Sequence, residues 1–163
     1  METYSIQPAT ARDVPALMMM IHELAEFEHL QNELNVTESS LQEALFGSCP
    51  LACALMGLVS GHPAGYAVYY RTFSTFVGHP GVFLEDLYVR PLYRRHGLGR
   101  ALLEHAVRRG MRGELCGRYE WIALRWNEAA LRFYQSMGAH PLDEWVLVRM
   151  SGAPLCRLME GAS

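Results

Sequence analysis

The sequence predicts an α/β fold, and three observations carry that reading. Apolar positions recur at the helical period in several stretches of ten residues or more. Between them lie shorter runs rich in β-branched and aromatic residues, bounded by glycine and proline. The two kinds of segment alternate along the chain in the order β-α-α-β-β-β-α-β-α-β-β, which suits one α/β domain spanning residues 1–163.

Each element has its own signal. Tyr4 to Pro8 alternates as a short first strand. From Asp13 to about His29, Val14, Leu17, Ile21, Leu24 and Ala25 follow the 3.6-residue period of a helix, and Met18, Met19 and Met20 add packing bulk. Thr37 is suited to cap a second helix that runs through Leu45. Leu51 to Val59 and Ala64 to Phe73 read as two strands joined by Ser60-Gly61-His62-Pro63, and Val82 to Arg90 reads as a third. A glycine-bearing loop feeds a helix from about Gly97 to Arg112, with Leu98, Leu102, Ala106 and Val107 on one face. Arg108, Arg109 and Arg112 sit near its C-terminal end, where the helix dipole favours cations. Tyr119 to Arg125 is the next strand; Asn127 caps a helix ending at Met137, before Gly138. Trp145 to Met150 and Leu155 to Leu158 read as closing strands.

Half of the 163 residues are hydrophobic and 19% are charged, the balance of a globular protein. No apolar run approaches the ~20 residues that cross a bilayer. The start, Met1-Glu2-Thr3-Tyr4, is acidic where a secretion signal is basic. A cytoplasmic location is therefore expected, with no membrane partner and no nucleic-acid partner. All 14 basic residues are arginine, which excludes Schiff-base chemistry and a P-loop lysine. Residues 1–70 hold eight acids and one base, residues 71–163 nine acids and thirteen arginines, so the parts carry −7 and +4. An acidic part suits a cationic substrate and an arginine-rich part suits phosphates, although two solvated faces give the same count. Cys49, Cys53, Cys116 and Cys156 lack metal-site spacing and are expected to be reduced and mostly packed in the core. No metal is expected.

The segment richest in chemistry is Leu84-Glu85-Asp86-Leu87-Tyr88-Val89-Arg90-Pro91, followed by Arg94-Arg95-His96-Gly97-Leu98-Gly99-Arg100. A strand ends here and a loop turns into a helix. Gly97 and Gly99 let the backbone approach a ligand, and the free N–H groups of the first helical turn form an anion site. Arg94, Arg95 and Arg100 add charge suited to a pyrophosphate. The dinucleotide fingerprint is excluded because its third glycine position holds Leu102.

What remains, Arg-x-x-Gly-x-Gly after a strand, resembles the signature of the GNAT acetyltransferase superfamily. Asn127-Glu128-Ala129-Ala130-Leu131-Arg132-Phe133-Tyr134, followed by Gly138-Ala139, resembles that family's later motif. Ile6-Gln7-Pro8-Ala9-Thr10, Glu23-Leu24-Ala25-Glu26-Phe27-Glu28, Leu84-Glu85-Asp86 and Trp126-Asn127-Glu128 further resemble its diamine/polyamine (spermidine/spermine) and thialysine-acetylating branch. The resemblance runs from residue 4 to about 145. It implies a mixed central sheet of about six to seven strands with about four helices, and acetyl-CoA as co-substrate. The implied activity is direct transfer, in a ternary complex, to a small primary amine such as a diamine, polyamine or thialysine-like compound. It also implies a homodimer.

Residue roles come with the resemblance. Glu85 stands where the family has a glutamate proposed as general base, acting through water, and Tyr134 where a tyrosine protonates the departing thiolate. Leu87, Tyr88 and Val89 match the strand that pairs with the pantetheine arm, and Arg94, Arg95, His96, Gly97, Leu98, Gly99 and Arg100 match the pyrophosphate loop. Asn127 matches a cofactor-side residue; Glu28, Asp86, Glu144 and Trp145 fall near positions lining the amine site. Arg95 departs from the family's usual glycine and predicts a stiffer loop; Arg125 replaces an acid common before Trp-Asn. The stretch Leu142-Asp143-Glu144-Trp145 is shorter and less acidic than in the polyamine enzymes, which bears against long polyamines.

The chemistry asks for such groups. An amine of pKa ~10 is mostly protonated at neutral pH and cannot attack a thioester until a base takes its proton. Plainer readings stay open: Glu85 as a strand-end surface acid, Tyr134 as helix packing with Ala130 and Met137, Glu28 and Glu144 as solvated charges, and His96 as a solvent-facing residue. Acetylation of a protein or peptide, and a non-catalytic acetyl-CoA sensor, are the rival functions.

Overall fold

The computed structural model describes residues 3–161. Met1, Glu2, Ala162 and Ser163 lie outside them, and with them part of the acidic start. After Ile122 the chain divides into two compact units.

The first unit is built on a mixed sheet in the order β1-β2-β3-β4-β5: Tyr4–Pro8, Cys53–Val59, His62–Phe73, Pro80–Val89 and Tyr119–Trp121. The first four strands are antiparallel, and β4 pairs with β5 in parallel. The β2–β3 hairpin is tighter than the sequence suggests. Ser60 and Gly61 alone form the turn, both at positive φ (49° and 80°), so that Val59 faces His62. Two positive φ angles in a two-residue loop match the right-handed twist of the flanking strands.

Helices α1 (Val14–Glu28) and α2 (Glu38–Phe46) cover one face of this sheet. Leu17, Met20 and Ile21 of α1 and Leu41 and Leu45 of α2 pack on Met56, Tyr66, Val68 and Tyr88. Met18 and Met20 join that core as expected, whereas Met19 points outward and is 55% exposed. Thr37 caps α2 by accepting from the Ser40 N–H at 3.1 Å.

The opposite face carries α3 (Leu98–Met111), whose Leu98, Leu102, Leu103 and Ala106 are buried. Gly110 allows the close approach of α3 to the sheet, since a Cβ there would lie 2.7 Å from Val82 Cγ2.

The second unit holds α4 (Glu128–Gln135) and α5 (Ala153–Glu160). Among the described residues the sheet has five strands and there are five α-helices, against the expected six to seven and four. Leu155 to Leu158 is helix rather than strand. Pro154 sits in the first turn, where its missing N–H costs nothing, and Leu155, Leu158 and Met159 share the helical i, i+3, i+4 spacing. Trp145 to Met150 forms no strand: no described segment pairs with it, and its apolar run lacks the alternation that fixes a register. The strand expected to reach Arg125 stops at Trp121, and a turn then brings the Asn127 N–H onto the Leu124 carbonyl. The cysteines are free but not core residues: Cys49, Cys53 and Cys156 are exposed and Cys116 is half-buried. No helix of the described residues is long and apolar enough to cross a membrane.

Candidate active site

The site begins with a break in the β3–β4 ladder. Val68 faces Asp86 and Tyr69 faces Leu84, which leaves Glu85 as an extra residue without a partner. Such a bulge re-aims the side chains around it. In a regular strand Leu84, Asp86 and Tyr88 share a face and Glu85 takes the other. The bulge instead brings Glu85 and Asp86 to the same side. Glu85 lies near Tyr70, whose phenol is raised by burial and then by the Glu85 charge, and Tyr70 stacks on its cross-strand neighbour Phe83 with centroids 5.2 Å apart. Asp86 accepts from the Tyr66 hydroxyl at 3.2 Å.

Glu28, the last residue of α1, completes an acidic cluster on that face. Burial raises the Glu28 carboxyl above the usual carboxylate range. Asp86 is pushed up to about 6, first by burial and further by the charges of Glu85 and Glu28, while the Tyr66 hydroxyl acts the other way. Tyr66 is fully buried, and its phenol is held well above its ordinary value by burial and by Asp86. It therefore keeps its proton and donates.

Beyond the bulge, β4 leads to the glycine loop. The parallel ladder to β5 covers only Val82, Phe83 and Leu84, so Leu87, Tyr88 and Val89 lie past the paired part of that edge. Tyr88 turns its ring into the core beside Tyr66, with centroids 6.3 Å apart. Arg94 is held from three sides: its Nε donates to the Val89 carbonyl at 2.7 Å, and its guanidinium lies over the rings of Phe27 (5.2 Å) and Tyr88 (5.7 Å). Arg95 takes the left-handed conformation at φ 65°, where a non-glycine residue is strained. Gly97 takes the same region at φ 88° as the N-cap of α3.

The first helical bond of α3 runs from the Ala101 N–H to the Gly97 carbonyl, so the N–H groups of Leu98, Gly99 and Arg100 precede the ladder at the positive end of the dipole. Leu98 offers only its backbone there, because its side chain is buried. His96 is exposed, as expected, and so are the side chains of Arg95 and Arg100. Arg100 also pairs with Glu104 at 3.0 Å.

In the second unit, Asn127 caps α4 by accepting the Ala130 N–H at 3.2 Å. Tyr134 lies in the last turn of α4, tilted against Phe133 at 5.3 Å between centroids. Glu144 and Trp145 lie in the exposed stretch between α4 and α5, where Asp143 pairs with Arg125 at 3.7 Å.

Residues 18–139 match the Acetyltransferase (GNAT) family. The chain belongs to that family. Its members are acetyltransferases, and this GNAT chain has the α/β fold of the family. It is 32% identical over 173 residues to the thialysine N-epsilon-acetyltransferase of Mus musculus, covering 97% of this chain and 98% of that one. It is 28% identical over 195 residues to the L-ornithine N5-acetyltransferase of Arabidopsis thaliana, covering 92% and 85%. Among solved structures, an integron cassette protein from the mobile metagenome of V. cholerae superposes with a TM-score of 0.77 at 22% identity, over 96% of this chain and 98% of that one.

Two tyrosines beside the acidic cluster carry little signal of that placement in the sequence. Tyr66 and Tyr70 lie within an apolar strand and read there as packing. The available signal is the phenol itself, since a buried hydroxyl needs a partner.

Proposed function

We propose that the protein transfers an acetyl group from acetyl-CoA to a small primary amine of the diamine, polyamine or thialysine type. The observation that carries this is the gathering of Glu28, at the end of α1, with Glu85 and Asp86 on β4, the strand that runs on to the glycine loop. Three carboxylates side by side repel one another and relax when a cation enters. That acidity suits an ammonium, and the relatives named for thialysine and ornithine act on such amines by name.

The chain's own groups fit acetyl-CoA. The Leu98, Gly99 and Arg100 N–H groups suit its pyrophosphate, with Arg95 and Arg100 adding positive charge. The open edge at Leu87, Tyr88 and Val89 suits pairing with the amides of its pantetheine arm. Bound there, acetyl-CoA supplies an activated acetyl: the amine nitrogen bonds to the acetyl carbon, the C–S bond breaks, and the nitrogen sheds a second proton as it becomes an amide, balancing the one that the departing sulfur takes up. A carboxylate of the β4 bulge takes the ammonium proton, the role the family resemblance gives to Glu85. The family resemblance gives Tyr134 the delivery of a proton to the sulfur, Asn127 a cofactor-side role, and Glu144 and Trp145 an amine-side role.

The transfer is direct. Neither Leu84–Gly99 nor Asn127–Tyr134 contains a cysteine to carry the acetyl group, and a cytoplasmic homodimer is the form we assign.

Free-thiol release by purified protein, assayed against diamines, polyamines, thialysine, ornithine, lysine and basic peptides, tests the reading. Small amines are expected to win. Peptides winning by a large margin overturn the substrate class, tight acetyl-CoA binding without transfer makes the protein a sensor, and a trapped acetyl-cysteine with ping-pong kinetics overturns direct transfer. Sedimentation as a monomer at micromolar concentration overturns the dimer.

A further inference from the structure

The bulge makes Glu85 and Asp86 neighbours on one face, but their surroundings differ. Glu85 is exposed and lies near Tyr70. Asp86 sits deeper, on the rim of the core built by Met56, Tyr66, Val68 and Tyr88. Tyr66 lies across β3 from Tyr88, so its hydroxyl reaches Asp86 on the diagonal, two positions out of register. Its ring is packed on all sides and has no exposed surface, which leaves the hydroxyl no freedom to follow a moving partner.

We propose that Tyr66 is a positioning residue for acetyl transfer: by holding Oδ2 of Asp86, it aims Oδ1 at the incoming ammonium, and Asp86 rather than Glu85 takes the proton. An N–H bond of the ammonium breaks, an O–H bond forms at Oδ1, and the nitrogen lone pair is released for attack on the acetyl carbon. Glu85 and Glu28 hold the positive charge of the substrate.

Burial supports this division. A base works best when its pKa lies near the working pH, and Asp86 stands at about 6 under the combined action of burial, Tyr66, Glu85 and Glu28. The Tyr66 phenol, held protonated by its burial, is a fixed donor throughout that range.

The inference rests on the amine-acetyltransferase reading, and the test separates the two. The pH dependence of kcat/KM is measured for wild type, Tyr66→Phe, Asp86→Asn and Glu85→Gln with the best amine of the panel, together with KM for acetyl-CoA and thermal unfolding. Loss of the Tyr66 hydrogen bond removes support for the ionised carboxylate. Tyr66→Phe is therefore expected to move the acidic limb of the profile to higher pH and to lower kcat about 10-fold, leaving KM for acetyl-CoA unchanged. Asp86→Asn is expected to abolish that limb and cost about 100-fold in kcat, and Glu85→Gln to keep the limb and raise KM for the amine.

A Tyr66→Phe protein that melts earlier but keeps its kcat and its acidic limb overturns the positioning role. A limb that survives Asp86→Asn and vanishes in Glu85→Gln returns the proton to Glu85. Both results leave the amine-acetyltransferase reading intact. Wild-type protein that transfers acetyl to no amine removes both.

Discussion

Tyr66 and Asp86 lie on neighbouring strands, and the hydroxyl of one donates to the carboxylate of the other at 3.2 Å in a setting that opposes ionisation of both. Asp86 therefore sets part of the protein's pH-dependent stability. Its carboxyl moves from the usual 3.8 to about 6 on folding. The folded state thus binds the proton more tightly than the unfolded state. The associated stability is present below about pH 4 and is lost as pH climbs through about 6, a change on the order of 3 kcal/mol. Asp86→Asn keeps an acceptor for Tyr66 and removes the charge. The variant is expected to melt above wild type at pH 8, with the difference shrinking or reversing at pH 4.5, in thermal unfolding followed by circular dichroism. A difference that does not change with pH contradicts the assignment of this charge to the cluster.

The loop before α3 stores strain at Arg95. Its φ of 65° costs a residue with a Cβ about 1–2 kcal/mol relative to glycine. Arg95→Gly relieves that cost while loosening the unfolded chain, so a net gain of about 0.5–1 kcal/mol is expected. The guanidinium is exposed beside the helix N-terminus, and removing it is expected to weaken acetyl-CoA binding and to flatten the salt dependence of that binding. Chemical denaturation and calorimetric titration at low and high salt read the two effects separately. A variant that binds acetyl-CoA as well as wild type at low salt removes Arg95 from the phosphate site.

Gly110 is fixed by packing. An added methyl would stand 2.7 Å from Val82 Cγ2, on the strand that carries the bulge three residues on. Alanine is worth about 1 kcal/mol more than glycine within a helix, but overpacking against a stiff branched side chain costs about 1–3 kcal/mol. Gly110→Ala is expected to be destabilising by about 1 kcal/mol, with a lower kcat because β4 shifts under Glu85 and Asp86. Paired measurement of unfolding and turnover checks this; a stabilised, fully active variant shows that α3 moves freely over the sheet.

The first unit was largely legible in the sequence because its signals are local. Thr37 caps its helix where the side-chain chemistry requires, as Asn127 does in the second unit, and the 3.6-residue pattern of Val14 to Ala25 marks the buried face of α1. The acidic residues of the site were also legible one by one. The bulge was not, because a one-residue slip of pairing leaves no mark in composition, yet it alone turns Glu85 and Asp86 to the same side. Tyr66 was missed for a related reason, since its role depends on a strand twenty residues away. Near the C-terminus position outweighs apolar content: Pro154 after Gly152 marks a helix start, and Trp145 to Met150 carries strand composition without a partner among the described residues to define a register.

Tyr134 provides the last test. It occupies the final turn of α4 next to Phe133, where the ring packs and the hydroxyl is the group the chemistry would use. Tyr134→Phe removes only that hydroxyl, so the helix and its ring contact persist and the unfolding midpoint is expected to change little. Loss of a general acid costs roughly 10²–10⁴-fold. A thiolate with a pKa near ~8.5 leaves fairly well without help, which puts the expected loss of kcat at the low end, with acetyl-CoA affinity retained. The loss should be smaller for an acetyl donor with a more acidic leaving thiol, because less is asked of the proton. Steady-state kinetics with acetyl-CoA and with such a donor separate the cases. Full activity of the variant with both donors across the pH range would make Tyr134 a packing residue and leave the sulfur to take its proton from water.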